Sequence, residues 1–121
     1  MPKNAIHWFE IPALDINRAT RFYNQVLGYD MSPFEMFNCQ MSMFPCEEGV
    51  GGAIVVQTNC KPSASGTRVY LECGPDLAVA LAKVEGAGGK VLQPKSPIGE
   101  HGFIAVFQDT EGNTVGLHST G

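Results

Sequence analysis

The sequence predicts an α+β fold of two βαβββ modules, and three observations carry that reading. Strand, helix and three strands follow one another, and the same order then repeats. Trp8-Phe9-Glu10-Ile11 and Tyr70-Leu71-Glu72-Cys73 each run aromatic, apolar, glutamate, apolar. Asp15 stands 13 residues before Gly28, as Asp76 stands 13 before Gly89, each pair placed to open and stop a helix. The spacing from strand to cap differs by one residue between the halves, so a bulge or altered turn is expected there.

The first module spans about 4–57. Its opening strand is expected over Ala5 to Ile11 and its helix over Ile16 to Leu27, where Ile16, Ala19, Phe22, Tyr23, Val26 and Leu27 recur at helical spacing. Alternation from Met36 to Phe44 sets Phe37, Cys39, Met41 and Met43 on one face and Asn38, Gln40 and Ser42 on the other, in one strand or two short ones. Pro45 to Gly49 reads as a turn and Gly51 to Gln57 as a strand, before a polar loop from Thr58 to Gly66. The second module spans about 67–119. It offers a strand at Thr67 to Cys73, a helix at Leu77 to Ala87 and strands near Lys90 to Leu92, Gly102 to Gln108 and Thr114 to His118.

A chain of 121 residues with 44% hydrophobic content suits a single domain over 1–121. Its net charge of −4, with eight scattered basic residues, argues against nucleic-acid and anionic-lipid partners. No apolar run approaches the roughly 18 residues of a membrane span. Cys39, Cys46, Cys60 and Cys73 lack zinc-type spacing and the opening MPKNAIHWFE has no apolar signal segment, so free thiols and a cytoplasmic location are expected. The thiols read as small core hydrophobes.

Period-two alternation assigns the faces. Phe9 and Ile11 suit the helix-covered side of the first strand, so Trp8 and Glu10 point the other way. Tyr70 and Glu72 do the same in the second module, with Arg68 beside them. On the last strand Val115 and Leu117 pack under the helix, which leaves Thr114, Gly116 and His118 opposite. Gly116 is the anomaly, because glycine weakens a strand interior.

Three stretches, DINRATRFYNQVLGY (15–29), VEGAGGKVLQPK (84–95) and FQDTEGNTVGL (107–117), resemble the vicinal oxygen chelate superfamily of glyoxalases, bleomycin-resistance proteins and extradiol dioxygenases. The resemblance spans nearly the whole chain. It implies that the eight strands form a curved mixed sheet around a concave cavity, in a homodimer. It also implies a divalent metal held at Trp8, near Ala53, near Val69 or Tyr70, and at Gly116, none of which is a usual ligand. No metal at that site and no cofactor is therefore expected.

A small organic ligand is expected instead, contacted by Trp8, Tyr70, Arg68, His118 and His101, as in the bleomycin-resistance branch. Trp8 and Tyr70 would floor the cavity with an apolar platform and a polar tip. Asn38, Gln40 and Ser42 could add hydrogen bonds, or simply face solvent. Glu10 and Glu72, expected near each other across the pseudo-twofold axis, have three readings. They are satisfied by Arg68 or solvent; they form an acid/base or ligand-anchoring pair, with one pKa raised by the other carboxylate; or they hold a relocated metal with His118. The second and third would suit a lyase or isomerase related to lactoylglutathione lyase. His118 reads either as an edge residue or as a cavity residue, and His101, beside Glu100 in a turn, either as solvated or as part of the rim.

Overall fold

In the computed structural model, which describes residues 4–121, the chain runs β1 (Trp8–Pro12), α1 (Ile16–Leu27), β2 (Phe34–Met36), β3 (Cys39–Met43), β4 (Gly51–Val56), β5 (Tyr70–Glu72), α2 (Ala78–Leu81), β6 (Lys90–Pro97), β7 (Phe103–Gln108) and β8 (Thr114–Ser119), with a 3-10 turn at Gly99–His101. Helix α1 forms where its periodicity and caps place it. The Asp15 carboxylate accepts from the N–H groups of Asn17 and Arg18 at 3.0 and 3.1 Å, and Gly28 closes the helix at φ +72°, where a β-carbon would be strained. Helix α2 is shorter than its apolar pattern predicts. After Leu81 the N–H groups of Lys83, Val84 and Gly88 bond three residues back, to Ala80, Leu81 and Glu85, so a chain of tight turns replaces the α-helix ahead of Gly86, Gly88 and Gly89.

The strands form two four-stranded sheets, ordered β1-β4-β3-β2 and β5-β8-β7-β6. Each module pairs its first strand in parallel with its fourth and runs antiparallel otherwise. The eight strands of the expected two-module fold are thus laid out as two four-stranded mixed sheets with β1 and β5 at their edges, and among the described residues no ladder joins the two. Strand β6 runs on to Pro97 through two register shifts, five residues beyond its predicted end. The main apolar core draws on both modules, with Ile11, Phe22, Tyr23, Ile54, Phe107 and Leu117 among its members. The Phe22 ring of α1 lies 5.7 Å from the Phe107 ring of β7.

Polar groups fasten the modules at the β7–β8 turn. Asp109, Glu111 and Asn113 are all buried, and each is fully engaged. Asp109 accepts from the Tyr23 hydroxyl at 2.7 Å and from the backbone N–H groups of Glu111 and Asn113. Asn113 donates to the Pro12 carbonyl at 2.7 Å, at the end of β1. Glu111 accepts from the N–H groups of Leu14 and Asp15, at the start of α1, and pairs with the Arg18 guanidinium at 2.6 Å. Burial pushes the Glu111 carboxyl up, but the bonds from Arg18, Asp15, Leu14 and Thr110 outweigh it and hold the pKa at about 2.

Two-residue turn Phe37-Asn38 joins β2 to β3 with φ values of +54° and +59°. Asparagine tolerates this region, whereas an aromatic residue is strained there by about 1–3 kcal/mol. The Phe37 side chain is 92% exposed, so packing does not offset the strain.

Candidate functional site

Cross-strand register explains what stands on the face away from the helices, called the open face below. Trp8 opposes Gly51, Glu10 opposes Ala53, Tyr70 opposes Gly116 and Glu72 opposes His118. Partners in a ladder share a face, so these eight residues lie on the open faces of the two sheets. Burial agrees with the alternation read from the sequence. Ile11 and Leu71 are buried beneath the helices, while Trp8 and Tyr70 are 41% and 45% exposed.

Each module thereby sets an aromatic ring beside a glycine. A β-carbon at 116 would overlap the ring carbons of Tyr70, so the glycine is what lets that ring lie across β8. At Gly51 the approach is looser, with Trp8 Cζ3 3.4 Å from where a β-carbon would stand. Because Tyr70 opposes Gly116, the internal repeat places the partner of Trp8 at Gly51, and the expected position near Ala53 moves by two residues. Tyr70 rather than Val69 is the third position, since Val69 packs on the core. The polar tips of both rings are engaged: the Trp8 indole N–H donates to Glu10 at 3.3 Å, and Arg68 donates to the Tyr70 hydroxyl at 3.4 Å.

Two cavities lie near these residues, with Tyr70 and Gly51 on the wall of one and Trp8 on the wall of neither. The larger, about 890 Å³, is lined by Phe9, Phe44, Gly51, Arg68, Tyr70 and Glu72, among others. The smaller, about 210 Å³, is lined by Glu10, Pro12, Lys61, Asn113 and Thr114, among others. Arg68, Tyr70 and Glu72 thus come together, whereas Glu10 lines a different cavity from Glu72. His118 lines neither cavity. It stands opposite Glu72 in register and places its Nε2 2.6 Å from the His101 carbonyl oxygen. The His101 ring is itself exposed, 4.0 Å from Glu100.

Next to Glu72, burial raises the Cys73 thiol to about 11, with Glu72 adding to the rise and a backbone hydrogen bond at His118 opposing it. Cys73 is therefore a neutral thiol at physiological pH and a poor nucleophile. The expectation of core thiols holds for Cys39, which is buried, and in part for Cys73, which packs half-buried against the core, whereas Cys46 is exposed and Cys60 half-buried.

The four positions do not fit the superfamily's divalent metal. Two are glycines, one is an indole that can only donate, and one is a phenol held by a guanidinium. Among the described residues no three His, Cys, Asp or Glu side chains are grouped to hold a metal ion.

One part of the open face was not singled out by sequence reasoning. Met43 opposes Ala53, Met41 opposes both Val55 and Phe34, and Met36 opposes Cys39, which puts four sulfur side chains on the open face of the first sheet. Alternation along Cys39, Met41 and Met43 was the available signal. By the same alternation Ser42 lies under α1, where its hydroxyl is 2.6 Å from that of Thr20, so it offers nothing to a ligand on the open face.

Similarity to known proteins follows the same pattern. Residues 6–43 match the family model described as Bleomycin resistance protein-like N-terminal. The chain is 31% identical over 120 residues to a glyoxylase-like domain-containing protein from Didymella fabae, across 90% of this chain and 88% of that protein. Among solved structures it is similar to TnmS3, an antibiotic binding protein from a Streptomyces species, with a TM-score of 0.70 and 23% identity over 100% of this chain and 99% of that one. A glyoxalase I mutant from Zea mays aligns at a TM-score of 0.67 and 20% identity, covering 94% of this chain but only 45% of that longer protein. A glyoxylase/bleomycin resistance protein/dioxygenase domain from a Frankia species reaches 0.73 at 13% identity, over 100% of this chain and 94% of that one. With the repeat, the two mixed sheets and a relative matched along nearly its whole length in agreement, the chain belongs to the glyoxalase and bleomycin-resistance group of the vicinal oxygen chelate superfamily.

Proposed function

We propose that the protein binds a small organic molecule with a flat apolar part on its Trp8 and Tyr70 rings, without a divalent metal at the superfamily's site. The observation that carries this reading is the replacement of all four ligand positions by two ring-and-glycine pairs. A ring held against the sheet with its polar tip occupied presents its face to a ligand, and stacking on such a face contributes about 0.5–1.5 kcal/mol beyond area burial. Arg68 and Glu72, which share the larger cavity with Tyr70, supply polar contacts at its edge. TnmS3 is an antibiotic binding protein with this fold over its whole length, which supports a binding role here.

A lyase or isomerase related to lactoylglutathione lyase would need Glu10 and Glu72 to act on one substrate, and the two line separate cavities. Binding is accordingly the favoured reading. A homodimer in the cytoplasm belongs to the same proposal, supported by the resemblance. Trp8 is the chain's single tryptophan, so its fluorescence reports on the site. Titration with a panel of flat aromatic compounds is expected to quench or shift that emission saturably for at least one member. A panel without effect contradicts binding on the Trp8 ring.

A further inference from the structure

We propose that the open face of the β2–β3 hairpin is a soft-metal site that takes one Cu(I) ion on the sulfur atoms of Met36, Cys39 and Met41. These residues belong to the stretch MFNCQM, and the hairpin register sets their side chains on one face of the sheet. Met36 and Cys39 flank the two-residue turn as direct cross-strand partners, a relation that sets β-carbons about 5 Å apart on the same face. Met41 follows Cys39 by two positions on that face, about 7 Å along the strand, and packs against the cluster of Cys39, Ala53 and Val55. Both methionine arms are long and unbranched, so their thioethers can converge on the buried Cys39 sulfur.

The two-residue turn fixes the register of the pair. Phe37 holds a left-handed conformation that a bulky residue avoids, with its ring in solvent, so its own packing does not explain the strain. Across that turn Met36 and Cys39 stand directly opposite each other.

Donor chemistry selects the ion. One thiolate and two thioethers are soft ligands, which favour Cu(I) over divalent ions that prefer nitrogen and oxygen donors. Charge selects it too. The Cys39 thiol now points its proton at the Gln40 carbonyl, 3.5 Å away; on binding, that proton leaves to solvent and a sulfur–copper bond forms, with no change of oxidation state. Thiolate and Cu(I) together are neutral, so the complex can sit among Phe34, Ala53 and Val55 without an uncompensated charge, whereas Zn(II) would leave one positive charge there. The site is separate from the ring-and-glycine pairs and does not depend on the proposed ligand binding.

The test is anaerobic titration of the full chain with Cu(I) buffered by bicinchoninate, whose colour reports copper withdrawn from it. One equivalent withdrawn per chain, with release of one proton, is expected. Met36→Leu and Met41→Leu, which keep side-chain volume, should each weaken binding by at least about tenfold. Cys39→Ser should abolish it, while Cys46→Ser and Cys60→Ser should leave it intact. The proposal is overturned if the wild-type chain withdraws no copper, if half an equivalent bridges two chains, or if withdrawal survives both methionine substitutions. Loss in Cys46→Ser or Cys60→Ser alone would equally overturn it.

Discussion

Gly116 shows how one missing side chain can be read two ways. By sequence it is a strand defect at a superfamily ligand position; in the fold it is the space that the Tyr70 ring occupies. Gly116→Ala should therefore cost about 1–3 kcal/mol by overpacking, read as a lower denaturant midpoint. Tyr70→Ala should remove most of that cost, so a double-mutant cycle is expected to show strong coupling, and additive effects would contradict the packing account. Gly51→Ala, whose β-carbon would meet Trp8 at an ordinary 3.4 Å, should be nearly neutral. Alternation alone placed Trp8, Glu10, Tyr70 and Glu72 on the correct face, because one residue in two must be buried on a half-covered strand. Ring orientation was not legible, since it depends on which residue of a distant strand stands opposite. That register moved the expected position near Ala53 to Gly51.

At the level of elements, the β7–β8 turn is the fastening between modules, and its chemistry sets a pH dependence. The Glu111 carboxyl is depressed from an ordinary value of 4.5 to about 2, so its contribution to stability is complete above about 4.5 and is lost as pH falls toward 2. Because Arg18 is partly exposed to solvent, that contribution is discounted to on the order of 1–2 kcal/mol. Glu111→Gln should lower the denaturant midpoint at neutral pH and flatten its decline between pH 4.5 and 2; an unchanged acid profile would contradict the assignment. At the β2–β3 turn, Phe37→Gly should stabilise by about 0.5–1 kcal/mol, measured as a higher melting temperature, because glycine accepts a positive φ. Helix α1 was legible to the residue, since caps and periodicity agree at both its ends. Helix α2 was not, because its apolar pattern runs on through a segment whose hydrogen bonds tighten into turns. The two-module fold was legible from the repeat, whereas the exact pairing of strands was not, as sequence specifies strands more readily than the ladders that join them.

Taken whole, the molecule keeps the superfamily's repeat and, among the described residues, has no cluster of His, Cys, Asp and Glu side chains to hold a metal ion. The homodimer proposal is checked by light scattering, where a mass about twice 13.0 kDa is expected and 13.0 kDa at high concentration would contradict it. The central claim is that ligand binding at the Trp8 and Tyr70 rings needs no divalent ion. Its most direct test is titration of the metal-stripped protein with a flat aromatic ligand found by the fluorescence panel, repeated after addition of nickel, zinc or manganese. The account predicts the same saturable change in Trp8 emission in every case, weakened by Tyr70→Ala. Binding that appears only once a divalent metal is added would contradict it.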